Sequence, residues 1–266
     1  MQFLIKRTYS TIKKPSLLGV VGAGQMGLGI ALVSALKAKT PVLLVDSNSE
    51  QVQKGMKYMD FLLSKDVLKG KITESEKKDA LSLVNTSDTL SDFENVDFVI
   101  EAVSENPALK RQIFSELCKI TPKHAILATN TSSISITKIA SSTKRPEKLV
   151  EIIPGLATSN ETLVATLKFA KEMGKITTQS NDTPGFIANR VLMPYINEAC
   201  YVLQEGIATR EDIDTTMKLG TNVPMGPLTL ADFIGLDTCL AIMKVLHLQL
   251  GDSKYRPSPL LAKVCR

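Results

Sequence analysis

Several features that define common functional classes are missing from this chain of 266 residues. Its four cysteines are scattered, with neither a CxxC pair nor a Cys/His cluster, so the sequence predicts free thiols rather than a metal site or a disulfide framework. No apolar run is long enough to span a bilayer, and we expect no membrane insertion. The hydrophobic content of 44% is that of an ordinary globular protein.

Acidic residues are missing from the start of the chain, where Asp46 is the first. Residues 1–15 instead carry four Lys or Arg side chains among Ser, Thr and apolar residues. This composition is typical of a mitochondrial transit peptide and predicts the mitochondrial matrix, the alternative being a short disordered cytosolic tail. The same four cations supply most of the net charge of +5, so nothing in the overall charge indicates nucleic-acid binding.

A glycine-rich turn is the strongest chemical signal in the sequence. Residues 19–27 read GVVGAGQMG, between an apolar run at 17–21 and a helical pattern at 28–38. A strand, a glycine turn and a helix in this order place backbone N–H groups and a helix N-terminus against a pyrophosphate. In such a turn Gly22 bends the chain, Gly24 lets the phosphates approach, and Gly27 lets the helix pack on the strand.

Asp46 completes the dinucleotide pattern. It ends the next apolar run and lies 19 residues after Gly27, close to the expected spacing of about 20. Its carboxylate would accept hydrogen bonds from the adenosine ribose and repel a 2′-phosphate, so NAD is predicted over NADP. The alternative is a glycine turn in an α/β fold without a nucleotide. The predicted cofactor-binding residues of this unit are Gly22, Gly24, Gln25, Met26, Gly27 and Asp46.

The order of elements predicts an α/β fold, a Rossmann-type doubly wound parallel sheet followed by an all-helical C-terminal domain. We predict three segments: a targeting segment (1–15), an NAD-binding domain (16–180) and a helical dimerisation or substrate domain (181–266). A last strand is predicted at 175–178, and Thr183 is the predicted N-cap of the first helix of the helical domain. A single long helix is predicted over 228–250.

Polar side chains follow two later strands of the predicted sheet. Glu101 and Glu105 come after an apolar run at 96–100, and they either lie near a ligand or cap the next helix. Residues 129–133 follow a strand at 125–128 and offer hydroxyls and an amide to a nicotinamide or a substrate oxygen, although the same residue types favour a helix N-cap.

A lysine-rich helical excursion separates the first two strands from these later ones. It covers residues 50–83, and Thr73 with Glu76 has the spacing of a capping box. Its lysines indicate either a solvated helical face or an arm that binds a polyanionic substrate.

Taken together, these blocks resemble the NAD-dependent 3-hydroxyacyl-CoA dehydrogenases, close to the 3-hydroxybutyryl-CoA dehydrogenase branch. The resemblance covers residues 17–261, and its most specific blocks are NTSS at 130–133 and GFIANR at 185–190. It implies oxidation of short-chain 3-hydroxyacyl-CoA to 3-oxoacyl-CoA with NAD, and a homodimer. The motifs that carry it are GVVGAGQMG, EAVSEN, NTSSISIT, GLATSNET, DTPGFIANR and GPLTLADFIGLDTC.

The resemblance also implies roles for single residues. Glu105 would lie by the cofactor and Lys110 on the CoA side. Ser132 would hydrogen-bond the substrate oxygen, Asn189 would support the active site from the helical domain, and Glu151 would orient the catalytic histidine.

That histidine has no counterpart at the expected place. In the family a strand and an HFxNPxP-type loop follow the RP pair, whereas here Glu147 is followed directly by Lys148. We therefore expect the sheet to be interrupted and the base to be missing. The only two histidines are His124, predicted at the start of a strand, and His247, predicted on a late helix. Neither is a predicted replacement base.

Three functional hypotheses follow. The first is a dehydrogenase whose written sequence has lost an internal piece and the glycine-rich closing segment of the family. The second is a truncated, inactive relative that retains NAD or CoA binding. The third is a β-hydroxyacid dehydrogenase of the hydroxyisobutyrate type, which shares the glycine turn but not the NTSS and GFIANR blocks.

Overall fold

The computed structural model describes residues 14–131, 134, 136, 139, 149–150, 153–155 and 157–265. They form two compact units that divide between Asn181 and Asp182. The first unit contains a six-stranded sheet whose strands all pair in parallel. Its strands are β1 (Leu18–Val21), β2 (Val42–Val45), β3 (Val84–Ser87), β4 (Phe98–Glu101), β5 (Ile126–Thr129) and β6 (Leu149–Val150).

The strand order is β3-β2-β1-β4-β5-β6. The chain runs outward from β1 to β3 and then returns to the other side of β1, which creates a switch point between β1 and β4. This is the doubly wound arrangement, so the predicted Rossmann-type fold is confirmed. Strands β1, β2 and β4 are largely buried, as expected for strands covered by helices on both faces.

The helices of the first unit begin where the sequence offers capping groups. They are α1 (Gln25–Leu36), α2 (Ser49–Leu68), α3 (Glu74–Ser82), α4 (Pro107–Ile120) and α5 (Asn160–Glu172), with a 3₁₀ helix at Leu90–Asn95. Asn48 accepts hydrogen bonds from two N–H groups of α2, and Asn106 does the same for α4. The predicted capping box of Thr73 and Glu76 is confirmed at the start of α3.

Two expectations about the sheet are wrong. Residues 175–178, which follow α5, form no strand and pair with no strand of the sheet. The sheet is also not interrupted after β5, because Leu149 and Val150 of β6 take the neighbouring place and pair with Leu127 and Ala128. Residues 130–148 supply a connection of the length that parallel neighbours need.

The second unit is helical, as predicted. Its helices pack around an apolar core that includes Met193, Ile196, Met243 and Leu246. They are α6 (Ala188–Gln204), α7 (Arg210–Gly220), α8 (Pro227–Ile234), α9 (Leu236–Leu250) and α10 (Pro259–Val264), with a 3₁₀ helix at Ser253–Tyr255.

Two helix boundaries in this unit differ from the prediction. Residues 228–250 form two helices because Gly235 has φ of 102°, outside the helical region, and separates α8 from α9. Thr183 is not an N-cap; its carbonyl accepts a hydrogen bond from the Phe186 N–H in a turn. Gly185 and Phe186 have positive φ values of 78° and 49°, which delays the start of α6.

Candidate active site

The three glycines of the turn after β1 have different steric surroundings. Gly22 has φ of 105°, and a Cβ atom there would lie 2.7 Å from the Ala102 carbonyl oxygen. A Cβ on Gly27 would collide with the Gly22 carbonyl oxygen, so α1 packs directly on the turn. A Cβ on Gly24 would meet nothing within 4 Å, which leaves open space over the turn. That space is where a pyrophosphate must approach the backbone.

The N-terminus of α1 faces this turn without a capping side chain. Gly24 is the N-cap residue and makes no side-chain hydrogen bond. Gln25 and Met26 follow, and both are exposed. An uncapped helix start carries unsatisfied N–H groups and a partial positive charge, so it favours a bound anion.

Asp46 is fixed beside the turn by backbone donors. Its Oδ2 accepts a hydrogen bond of 2.8 Å from the Ala23 N–H, and its Oδ1 accepts one of 2.9 Å from the Asn48 N–H. A carboxylate has further lone pairs, which remain for two ribose hydroxyls. The residues of this turn therefore fit a dinucleotide with an unmodified adenosine ribose.

Gln51 is a contact that the sequence motifs do not indicate. Its Nε2 donates a 3.3 Å hydrogen bond to the Ala23 carbonyl, which ties α2 to the glycine turn. The dinucleotide pattern has no position for it, because the contact depends on how α2 packs.

A fully buried ion pair lies at the carboxyl ends of β4 and β5. The Lys110 Nζ is 2.8 Å from Glu101 Oε1 and 3.1 Å from Oε2, and neither side chain is exposed to solvent. Glu101 Oε2 also accepts a 2.7 Å hydrogen bond from the Thr129 hydroxyl, and Oε1 one of 2.7 Å from the Val103 N–H. The carboxylate is therefore held by a cation, a hydroxyl and a backbone donor.

Glu105 extends this cluster toward solvent. Its carboxylate lies 3.5 Å from the Lys110 Nζ and accepts a 2.6 Å hydrogen bond from the Thr131 hydroxyl. The structure thus places Lys110, which the resemblance puts on the CoA side, in the interior with its amine between two carboxylates. Glu105 is 36% exposed and forms the open end of the cluster.

The other candidate residues are divided between the two units. Ser132 and Glu151 lie outside the described residues. Asn189 is the second residue of α6, in the second unit. His124 is exposed and precedes β5, at the amino edge of the sheet, and His247 is exposed in the last turn of α9. Within the first unit, His124 is therefore at the edge of the sheet opposite the glycine turn, while His247 belongs to the second unit.

The lysine-rich arm formed by α2 and α3 is partly neutralised by its own acids. Lys77 lies 2.9 Å from Asp60, and this hydrogen bond raises the pKa of its amine. Lys71 also pairs with an acid of the arm, Asp66, at 3.3 Å. Two exposed aromatic side chains of α2, at positions 58 and 61, stack with ring centroids 6.4 Å apart. Among the described residues, no helix combines the length and apolarity that crossing a membrane requires.

Comparison with known proteins decides the family. The model of the 3-hydroxyacyl-CoA dehydrogenase NAD binding domain matches residues 17–183, and the model of the C-terminal domain of the same enzymes matches residues 185–266. The chain belongs to the 3-hydroxyacyl-CoA dehydrogenase family. This places it among NAD-dependent oxidoreductases and establishes NAD as the cofactor of its first domain.

Individual relatives of this dehydrogenase cover nearly the whole chain. A probable 3-hydroxybutyryl-CoA dehydrogenase of Bacillus subtilis is 52% identical, over 92% of this chain and 90% of the relative. The human mitochondrial hydroxyacyl-coenzyme A dehydrogenase is 40% identical, over 92% and 84%. The crystal structure of (S)-3-hydroxybutyryl-CoA dehydrogenase from Ralstonia eutropha matches with a TM-score of 0.89 and 42% identity, covering 94% of this chain and 93% of that one.

Proposed function

We propose that this protein oxidises the C3 hydroxyl of a short-chain 3-hydroxyacyl-CoA to a ketone, with NAD as the hydride acceptor. The observation that carries the proposal is the carboxyl edge of the sheet, where an uncapped helix start and the fixed Asp46 carboxylate lie side by side. Relatives named 3-hydroxybutyryl-CoA dehydrogenase, at 42% and 52% identity, support a short acyl chain.

Different residues of the chain would have different roles in this reaction. The glycine turn would hold the pyrophosphate, and Asp46 the adenosine ribose. Ser132 would bind the substrate oxygen, and Asn189 would support the site from the helical domain. Removal of the hydroxyl proton needs a base with a pKa near neutrality, and Glu151 would orient and stabilise such a base.

A second candidate function is binding of NAD and acyl-CoA without efficient turnover. The position of the two histidines favours it, because one precedes β5 and the other is on α9. Loss of general-base assistance alone costs about 10²–10⁴-fold in rate. The two candidates thus share the cofactor site and differ only in the chemical step.

One experiment separates them. The purified chain is titrated with NADH, and NADH consumption is then followed with acetoacetyl-CoA, beside the Asp46→Asn variant as a cofactor-site control. Binding with turnover at the rate of an intact relative supports the dehydrogenase. Binding with a rate reduced by about 10²-fold or more supports the second candidate. Failure to bind NADH contradicts both.

We also propose that the arm of α2 and α3 contacts the coenzyme A part of the substrate. Tyr58 and Phe61 are 50% and 59% exposed, and they lie on a helix rich in lysine. Aromatic faces stack on an adenine ring, while cations attract the phosphates. Titration with coenzyme A alone, on the chain and on Phe61→Ala, tests this; equal affinities would contradict it.

For the assembly, we propose a homodimer formed through α6 and the turn before it. Ile187 and Val191 are 52% and 69% exposed and lie one helical turn apart. Light scattering on Val191→Asp tests this, with Leu248→Asp on α9 as the control for an exposed apolar residue elsewhere. We expect the first variant to be a monomer and the second a dimer. A monomeric parent chain would contradict the proposal.

For localisation, we propose that residues 1–15 direct the protein to the mitochondrial matrix. The basic, acid-free composition supports this, as does a mitochondrial relative in human, while other relatives are bacterial. The Lys14 Nζ donates a 2.7 Å hydrogen bond to the Lys39 carbonyl, so the folded unit begins close to the end of the segment. Residues 1–15 fused to a fluorescent protein should enter mitochondria, and a variant with Lys6 and Arg7 both changed to Glu should not.

A further inference from the structure

The buried pair of Glu101 and Lys110 has no obvious benefit for stability alone. Removing two charges from water costs several kcal/mol for each ion, and a well-packed apolar pair is often as stable or more stable. Both side chains nevertheless have no exposed area in the core of the first unit. The presence of this buried pair therefore needs an explanation other than its contribution to stability.

The hydrogen bonds show what the pair fixes. Glu101 accepts from the Val103 N–H, which sets the start of the loop between β4 and α4. It also accepts from the Thr129 hydroxyl, which ties the end of β4 to the end of β5. Through Lys110, the same network reaches Glu105 on that loop. Glu105 in turn binds Thr131, two residues beyond β5, so both loops are held at one place.

The strand order assigns this place to one half of the cofactor. Asp46 directly follows β2, so the adenosine ribose lies on the β2 side of the switch point between β1 and β4. A dinucleotide crosses that switch point, and its other half lies over the ends of β4 and β5. Glu105, at the open end of the network, faces solvent at that edge.

We propose that Glu101, Lys110 and Thr129 are positioning residues that hold Glu105 and Thr131 against the nicotinamide half of the cofactor. The inference rests on the proposed function, since it requires that NAD binds across this edge. It assigns the two halves of the cofactor to two separate sets of side chains. ADP-ribose lacks the nicotinamide, so the affinity for ADP-ribose should not depend on the buried network.

The decisive variant is the double substitution Glu101→Leu with Lys110→Met. A single substitution would leave one buried charge without its partner and is expected to unfold the protein, whereas the double variant keeps the core neutral. We expect its NADH affinity to fall about tenfold, the effect of losing one hydrogen bond to a charged group. Its affinity for ADP-ribose should stay within about twofold of the parent chain.

A milder variant guards against misfolding of the double substitution. Thr129→Val removes one hydroxyl from the network and should lower the affinity for NADH about threefold. Its matched control is Thr166→Val, which removes an equally buried hydroxyl that donates to the Thr162 carbonyl at 2.8 Å on α5. The control should lower thermal stability by a similar amount and leave NADH affinity unchanged.

The outcomes are distinct. Selective loss of NADH affinity, with ADP-ribose retained, supports the positioning role. Folded variants that bind both ligands like the parent chain overturn it, and so does an equal loss of both ligands. If the parent chain itself fails to bind ADP-ribose, the proposed function fails first.

Discussion

The ends of β1 and β2 and the end of β5 lie at the same edge of one sheet, but they offer different functional groups to a ligand. The first region has a glycine turn, an uncapped helix start and a fixed carboxylate within a single βαβ unit. The second has the hydroxyls of Thr129 and Thr131, and the histidine of the same unit, His124, precedes β5 at the opposite edge. Cofactor binding is thus encoded locally, whereas no histidine of the first unit lies beside these hydroxyls among the residues that the structure describes.

The strongest test of this comparison adds a candidate base to the chain. Inserting a strand and an HFxNPxP-type loop, as the resemblance implies for the family, between Glu147 and Lys148 should raise the rate of acetoacetyl-CoA reduction by about 10²–10⁴-fold. NADH affinity should change little, because the glycine turn is untouched. The same insertion with its histidine changed to alanine is the control. An inserted chain no faster than its control would show that more than the base is missing.

The next test concerns the packing of the glycine turn. Gly27→Ala should destabilise the protein by about 3 kcal/mol, because the new Cβ collides with the Gly22 carbonyl oxygen and α1 must move. Gly29→Ala, two residues further along α1, is the matched control, since a Cβ there meets nothing within 4 Å. The control should be stabilised by up to about 1 kcal/mol, as for glycine to alanine in a helix. Equal denaturation midpoints would contradict the packing role.

Gly24→Ala separates binding from folding at the same turn. Gly24 has φ of −73°, which alanine adopts readily, and its Cβ would point into open space. We expect an unchanged melting temperature and an NADH affinity lowered about tenfold or more, because a methyl group occupies the approach of the pyrophosphate. Tight NADH binding by this variant would place the cofactor elsewhere.

The smallest expected effect concerns the pH range over which the comparison is measured. Oxidation releases a proton and is favoured in alkaline buffer. In such buffer the titration of a thiol in the second unit lowers the free energy of unfolding. Burial, followed by the neighbouring Cys200, raises the pKa of the Cys239 thiol from 9.0 to about 11. The folded protein therefore keeps a proton that the unfolded chain releases, and stability falls as the pH rises from about 9 to 11.

Between pH 8 and pH 10 this thiol should cost about 1 kcal/mol of unfolding free energy. Urea denaturation at the two pH values measures it, and Cys239→Ala should lose that part of the pH dependence. An identical decline in the variant would assign the effect to other groups.

Local sequence signals account for most of the cofactor region. The glycine turn and the capping box of Thr73 are each set by residues a few positions apart, and Asp46 follows Gly27 at a spacing of 19 residues. The alternation of strands and helices predicts the doubly wound parallel sheet. The placement of Lys110 could not be predicted in this way. Lysine is usually exposed, and its burial depends on Glu101 on a different element.

The second unit shows a similar limit. Residues 228–250 have a continuous helical pattern, and only the backbone conformation of Gly235 divides them. Residues 175–178 include three β-branched side chains, which suit a strand, but a strand also needs a free neighbour in the sheet. Pairing of this kind is a property of the whole fold.

The buried pair of Glu101 and Lys110 also constrains how this sequence can change over generations. Replacing either residue alone leaves an unpaired charge in the core, while replacing both together does not. A lineage can therefore leave this arrangement only through an unstable intermediate or a simultaneous double change. Such a barrier would preserve the geometry of the cofactor edge even in a descendant that no longer performs the chemistry.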